Sequence, residues 1–141
     1  MLKYPKVPKV KKPKKKGKTE RQKLVDDCDE LTRKVLRATR PRFCVTCGRP
    51  ETPDHPLQVG HWIKRGRWFV RWDLRNVNPQ CPGCNLRHNH HTFYYDSWML
   101  ETYGESTVKE LMTLAKQSQK ITLEQLKEIK ESLCETLTKS R

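Results

Sequence analysis

The chain has 141 residues, with 30 Lys and Arg against 16 Asp and Glu, and a formal net charge of +14. This length suits one small domain with appendages, and the lack of a long apolar run argues against a membrane-spanning or secreted protein. The positive charge favours an acidic partner in the cytoplasm, above all nucleic acid. In such a reducing compartment, clustered cysteines bind metal more often than they form disulfides.

The N-terminal part of the chain divides into a tail and a helix. Residues 1–18 carry nine lysines and no acidic residue, which predicts a disordered basic tail. The tail acts either as a solubilising leader or as an arm that seeks phosphates. Residues 19–40 place an apolar residue at every third or fourth position after a capping box of Thr19 and Gln22, so we predict an amphipathic helix.

Two CxxC motifs frame the central segment. Cys44 and Cys47 form the first pair, and Cys81 and Cys84 form the second. Each short loop can place two thiolates on adjacent corners of a tetrahedron, so together they predict a closed structural zinc site. Free or disulfide-linked cysteine pairs are the alternative.

The remaining patterns predict a small α+β fold. Val59 and Ile63, then Val70 and Trp72, alternate with polar residues around residues 64–67, which indicates a β-hairpin with a basic turn. Residues 85–103 are predicted to be mostly helical. We therefore expect a treble-clef, ββα-metal (HNH-like) zinc core over residues 41–104, flanked by α-helices and preceded by the disordered basic tail.

The C-terminal segment, residues 105–141, is predicted to be a helical hairpin. Its two helical stretches begin at Thr107 and Thr122. Cys28 and Cys134 fall on apolar stripes, so we expect both to pack in the core. The terminal helices either pair with a second copy of the chain or pack on their own core, and the sequence does not decide between these arrangements.

The candidate active site lies inside the zinc frame. It comprises His61, Asn76 and the run Asn85–His91, which converge if the hairpin packs on the following helix. Imidazole and oxygen ligands of this kind suit one-metal hydrolysis of a phosphodiester, in which a histidine removes a proton from water. Taken singly, each histidine is also compatible with a packed or surface role, and the asparagine with a structural one.

Three segments together resemble a known family. They are Phe43–Gly48 (FCVTCG), Gln58–Ile63 (QVGHWI) and Arg71–Asn85 (RWDLRNVNPQCPGCN). In order and spacing they are similar to the NinG/Rap family of lambdoid phage recombination proteins, from about residue 42 to the C-terminal helix. The resemblance implies a phage nuclease of the HNH/endonuclease VII type, acting in the host cytoplasm on Holliday junctions and D-loops. It also implies a structural zinc and a catalytic magnesium or manganese.

The resemblance assigns roles by position. It implies that His61 is the general base, that Asn76 braces the loop bearing the base, and that Asn85 binds the catalytic ion. Gly60 stands where endonuclease VII-like sites have an acidic ligand. His91 is the leading second ligand, with His88 and Asn89 as other candidates, and His61 itself on the metal is a further alternative. The implied zinc ligands are Cys44, Cys47, Cys81 and Cys84.

A set of basic residues is interleaved with tryptophans and predicts contacts to nucleic acid. These side chains could hold phosphates and stack on the unpaired bases of branched or single-strand-containing DNA. Alternatively, the tryptophans fill a small core and the arginines are ordinary surface residues. The basic residues are Lys64, Arg65, Arg67, Arg71 and Arg75, and the tryptophans are Trp62, Trp68 and Trp72.

The leading hypothesis is a metal-dependent, structure-selective DNA endonuclease of phage recombination. A non-catalytic, zinc-stapled module that binds nucleic acid is the alternative, and an RNA-associated basic protein is a third. Symmetric cleavage of a four-way junction calls for two active sites, which makes a homodimer attractive. Phage or host recombination proteins are further candidate partners.

Overall fold

The computed structural model describes residues 9–141. Of the predicted basic tail, residues 1–8 lie outside the described residues, and residues 9–18 are exposed and form neither helix nor strand. Helix α1 spans Glu20–Thr39. The Thr19 side chain accepts a hydrogen bond from the Gln22 backbone and the Gln22 side chain accepts one from the Thr19 backbone, which confirms the predicted capping box.

The sheet has two antiparallel strands that are far apart in sequence. Strand β1 is Gln58–His61 and strand β2 is Val77–Gln80, with His61 opposite Val77 and Gln58 opposite Gln80. The prediction of a β-hairpin is therefore wrong in its second strand, because β1 pairs with Val77–Gln80 and not with the segment around Val70 and Trp72. Val70 lies instead in a 3₁₀ turn, Trp68–Val70, and is buried beneath a helix.

Strand β2 escaped prediction because it is only four residues long and contains Asn78 and Pro79, two residue types that are rare in strands. All four of its residues are buried. Asn78 lies next to the Tyr95 hydroxyl and Gln80 donates to the Thr46 hydroxyl, so polar partners replace the expected apolar face. Pro79 has no N–H to donate, but its carbonyl accepts from the Val45 backbone and ties β2 to the first cysteine loop.

Three further helices follow: α2 at Pro82–Arg87, α3 at Phe93–Ala115 and α4 at Leu123–Lys139. The helix predicted from Thr107 is the second half of α3, which kinks at Gly104 where φ is +82°. The capping box of Thr122 and Gln125 at the start of α4 is confirmed. The α+β class expected from the sequence is thereby confirmed.

Two apolar clusters hold these elements together. One lies between α1 and α4, and the other lies beneath α3. Since α4 packs on α1, residues 105–141 do not form the predicted hairpin, and the terminal helices cover each other within one chain. Cys28 is buried as expected, but Cys134 is exposed, so its predicted core role was wrong. Within residues 9–141, every helix is too short or too polar to cross a bilayer.

Candidate active-site cleft and metal centre

The four cysteines of the CxxC pairs form one cluster. One ligand atom from each lies within 4.8 Å of the others. Cys44 and Cys47 lie on a tight turn in which Gly48, at φ +74°, donates its backbone N–H to the Cys44 carbonyl. Cys81 caps helix α2 and Cys84 lies within its first turn. The cluster can hold a metal ion, and its four sulfur donors suit tetrahedral zinc.

The thiols of this cluster differ in acidity. Burial raises the pKa of Cys84 to about 12, with the neighbouring sulfurs adding to the rise. Burial also acts to raise the pKa of Cys47, but hydrogen bonds from Arg49 and from the other cysteines bring it down to about 6. Four close thiols therefore cannot all be deprotonated without a compensating positive charge. A bound divalent metal would provide that charge.

His61 is the last residue of β1 and faces helix α1. Its Nε2 lies 2.9 Å from the Arg71 carbonyl oxygen. A carbonyl only accepts hydrogen bonds, so Nε2 carries the ring proton and Nδ1 keeps its lone pair. Burial lowers the pKa of His61 below its usual value. The ring is therefore neutral at pH 7, which is the form that can take a proton.

Asn76 lies just before β2 and is completely buried. Its Oδ1 accepts from the Ile63 backbone at 2.7 Å, and its Nδ2 donates to the Ile63 and Val70 carbonyls. The Asn76 amide thus ties together two separate points, Ile63 and Val70, of the loop between the two strands. It braces the segment that also positions the Arg71 carbonyl, and hence His61.

A cleft of about 1000 Å³ lies between helix α1 and the sheet. One wall is acidic and is formed by α1, including Asp26, Asp29 and Glu30. The opposite wall comes from β1 and α2 and bears amide and imidazole groups. These are Gln58, His61, Asn85, His88 and Asn89. The structure therefore brings together His61 and Asn85, two of the residues singled out from the sequence.

The histidines after the second CxxC pair differ in their placement. His91 is exposed and does not line the cleft, whereas His88 is buried and does. The Nε2 of His88 donates to the Trp62 carbonyl at 2.7 Å, so its Nδ1 carries the lone pair. That Nδ1 is buried and has no hydrogen-bond partner among the described residues. Of these two histidines, His88 is therefore the one that lines the cleft.

The predicted DNA-binding basic residues fall into two groups. Arg71 is buried and bonded to Asp29, which also pairs with Arg65. Arg75 pairs with Asp73 and Glu110. All three arginines are therefore paired with carboxylates of the same chain, but only Arg71 is buried, and the Arg65 side chain is exposed. Of the predicted basic set, Lys64 and Arg67 are exposed and have no acidic partner within salt-bridge distance among residues 9–141.

The tryptophans of this segment are also engaged in internal contacts. Trp62 donates its indole N–H to Asp96, and the indole N–H of Trp72 is donated to Asp29. Trp68 lies beneath the Arg71 guanidinium, whose central carbon is 4.7 Å from the ring centroid. The packing interpretation of these rings is therefore the one that the structure supports.

Sequence reasoning missed two residues of the cleft, Asp29 and Gln58. Nothing in the sequence singled out Asp29, yet it accepts hydrogen bonds from Arg65, Arg71 and Trp72. Gln58 Oε1 accepts from Asn85 Nδ2 at 2.7 Å. No local motif marks Asp29, whereas the position of Gln58 on the strand that carries His61 was an available signal.

Comparison with known proteins identifies the family. A family model described as Bacteriophage Lambda NinG protein matches residues 5–140, nearly the whole chain. No significant match was found among curated proteins or among solved structures. The family match covers the cysteine pairs, both strands and the residues that line the cleft, and the resemblance noted from the sequence is confirmed. The chain therefore belongs to the NinG family of bacteriophage proteins.

Proposed function

We propose that this protein is a metal-dependent, structure-selective DNA endonuclease that acts on branched recombination intermediates, such as Holliday junctions and D-loops. Membership of the NinG family is consistent with a role in phage recombination. The observation that carries the proposal is the placement of His61, which lines the cleft while its Nε2 donates to the Arg71 carbonyl. Its Nδ1 is left with the lone pair that a general base requires.

The order of elements around His61 supports an HNH-like, ββα-metal site. Strand β1 carries His61, β2 runs antiparallel to it, and α2 follows directly with Asn85. In this scheme His61 takes a proton from the attacking water, while the hydrogen bonds of Asn76 keep the intervening loop in place. Holding the base rigidly lowers the cost of reaching the reactive geometry.

The cleft also offers donors that suit a divalent cation. Amide oxygens are ligands that magnesium and manganese accept, and an imidazole nitrogen is a ligand for manganese. We propose Asn85 and His88 as ligands, with His91 retained as the alternative to His88. A bound ion would polarise the scissile phosphate and stabilise the leaving oxygen. The second metal, zinc on the four cysteines, would have a structural role only.

The charges around the cleft suggest how DNA approaches. The α1 carboxylates in the cleft are each paired with a basic side chain: Asp26 with Lys18, Asp29 with Arg71 and Glu30 with Arg33. Lys64 and Arg67, by contrast, project from the loop between the strands without acidic partners among the described residues. We assign the first phosphate contacts to these two side chains. Such contacts read the backbone and not the bases, as expected for recognition of DNA shape.

A cleavage assay tests the proposal. It compares a four-way DNA junction with a matched linear duplex, in magnesium, manganese or chelator, for the wild type and His61→Ala. We expect cutting of the junction that requires the metal and falls by at least about 100-fold in His61→Ala, since general-base catalysis contributes on this scale. His90→Ala, at an exposed position outside the cleft lining, is the matched control.

The same assay separates the alternative function. Tight binding of the junction without cutting in either metal would identify a zinc-stapled binding module, in which His61 is merely a packed residue. Equal loss of binding, cutting and folded structure in His61→Ala would also count against a catalytic role. A preference for RNA over branched DNA would contradict the proposed substrate class.

A further inference from the structure

The position directly before His61 cannot provide a metal ligand in this fold. A Cβ atom at position 60 would overlap Gln80 Oε1 and would lie 2.6 Å from Gln80 Cβ. Gln80 has little freedom to move, because it is fully buried and its Nε2 donates to Thr46 at 2.7 Å. An acidic side chain at position 60 would therefore displace the buried core of β2. If the cleft binds a divalent ion, as proposed above, its oxygen donors therefore belong to other residues.

Gln58 lies on the same side of β1 as position 60, because residues two apart on a strand face the same way. It is exposed, lines the cleft and lies close to helix α2. Its Oε1 accepts a hydrogen bond from Asn85 Nδ2 at 2.7 Å. Two amide side chains therefore meet in the cleft that contains His61. Rotation of the Asn85 side-chain amide would exchange its Nδ2 and Oδ1 positions. The Asn85 oxygen would then lie beside Gln58 Oε1.

We propose that Gln58 supplies the cation ligand that position 60 cannot, so that the side-chain oxygens of Gln58 and Asn85 bind the divalent ion together. This inference rests on the proposed nuclease function. His88 is a candidate third ligand. Its Nδ1 is buried and has no hydrogen-bond partner among the described residues, while its Nε2 donates to the Trp62 carbonyl. Histidines that bind metals are typically held through their other ring nitrogen in this manner.

The proposed ligand set is electrically neutral, which has a measurable consequence. Amide oxygens and a neutral imidazole bring no negative charge to the cation, so the free protein should bind it weakly. Phosphate oxygens of the DNA would complete the coordination. A carboxylate at position 58 would have the length of the native side chain and would add the missing charge, so Gln58→Glu should tighten binding.

The test measures manganese binding to the zinc-loaded, full-length protein by electron paramagnetic resonance, without DNA. We expect Gln58→Ala to weaken binding by about tenfold or more and Gln58→Glu to strengthen it by a similar factor. Gln117→Ala, at an exposed position beyond the end of α3, is the matched control and should equal the wild type. Zinc content and thermal unfolding establish that each variant is folded.

A second readout separates this inference from the proposed function. The manganese concentration that gives half-maximal junction cleavage should rise in Gln58→Ala and fall in Gln58→Glu. If wild type and both Gln58 variants bind manganese and cut DNA alike, Gln58 is not a ligand, although the nuclease function stands. If the wild type neither binds manganese nor cuts with DNA present, both the inference and the function fail.

Discussion

Two regions of this protein are stabilised in different ways. In the helical region, formed by α1 and α4, the contact surface is apolar, and Val35, Leu126 and Leu133 are at most 3% exposed. In the cysteine and sheet region, residues 41–92, the buried residues around β2 include Asn78, Gln80 and the cysteines themselves. The first region depends on apolar burial, whereas the second combines buried hydrogen bonds with a cysteine cluster that can hold a metal ion.

This difference explains where the candidate site lies. Hydrogen bonds and metal coordination are directional, so they can fix His61, Asn76 and Asn85 in defined orientations that apolar packing alone would leave free. The helical region contributes one wall of the cleft, and its apolar cluster also takes in Trp72 of the cysteine and sheet region. Four predictions test this division, from the largest expected effect to the smallest.

Removal of the metal should affect the two regions unequally. Structural zinc contributes on the order of 10 kcal/mol in small domains, so chelation should disorder the cysteine and sheet region. We expect four additional thiols to react with a thiol reagent, while part of the far-ultraviolet helical signal remains. Complete loss of helical signal together with thiol exposure would show that the helical region has no stability of its own.

Leu126→Ala should destabilise the helical region. Leu126 is fully buried between α4 and α1, and truncation of such a residue typically costs about 2–5 kcal/mol. Thermal or urea unfolding measures the effect. Leu123→Ala, at the partly exposed first residue of α4, is the control and should cost far less. Similar losses for the two variants would contradict the assigned core.

Asp29→Ala should weaken the contact between the helical region and the cysteine and sheet region. Asp29 on α1 accepts hydrogen bonds from Arg71 at 2.7 Å and from Trp72 at 2.7 Å. Hydrogen bonds to charged groups contribute about 1.5–3 kcal/mol, and the buried Arg71 would lose its partner. We expect a lower free energy of unfolding and slower junction cleavage, because the Arg71 carbonyl holds His61.

The control for Asp29→Ala is Asp54→Ala, in an exposed turn of the first cysteine loop. It should leave both the free energy of unfolding and the cleavage rate unchanged. If Asp29→Ala lowers the free energy of unfolding but leaves the cleavage rate unchanged, Asp29 contributes to folding and not to cleavage.

Cys134→Ser should have the smallest effect. The Cys134 side chain is exposed on α4 and lies outside the four-cysteine cluster, so we expect a change within about 0.5 kcal/mol and full zinc content. Metal analysis and thermal unfolding check both points. Loss of zinc in this variant would show that the metal assignment to the CxxC pairs is incomplete.

Local signals predicted much of the fold. The capping boxes at Thr19 and Thr122 marked the starts of α1 and α4 because they depend on residues only three positions apart. The spacing of the CxxC pairs likewise predicted a cluster that the structure confirms as able to hold a metal. The tail prediction over residues 1–8 falls outside the described residues.

The candidate site was only partly visible from sequence. His61 and Asn85 were identified by type and position, and they line one cleft. The sequence could not decide whether His88 or His91 lines the cleft, because that depends on the direction of the chain after α2. Gln58 and Asp29 were missed because each acquires its role from a partner distant in sequence.

The sequence by itself therefore determined the starts of α1 and α4, the cysteine pairs and the family, all of which rest on short-range spacing or on ordered motifs. Only the tertiary structure decided that β1 pairs with Val77–Gln80 and that α1 forms a wall of the cleft. It also decided that Arg71 braces the interior through Asp29. The physical reason is that strand pairing and ion pairing join residues far apart in the chain, and no local pattern encodes such partners.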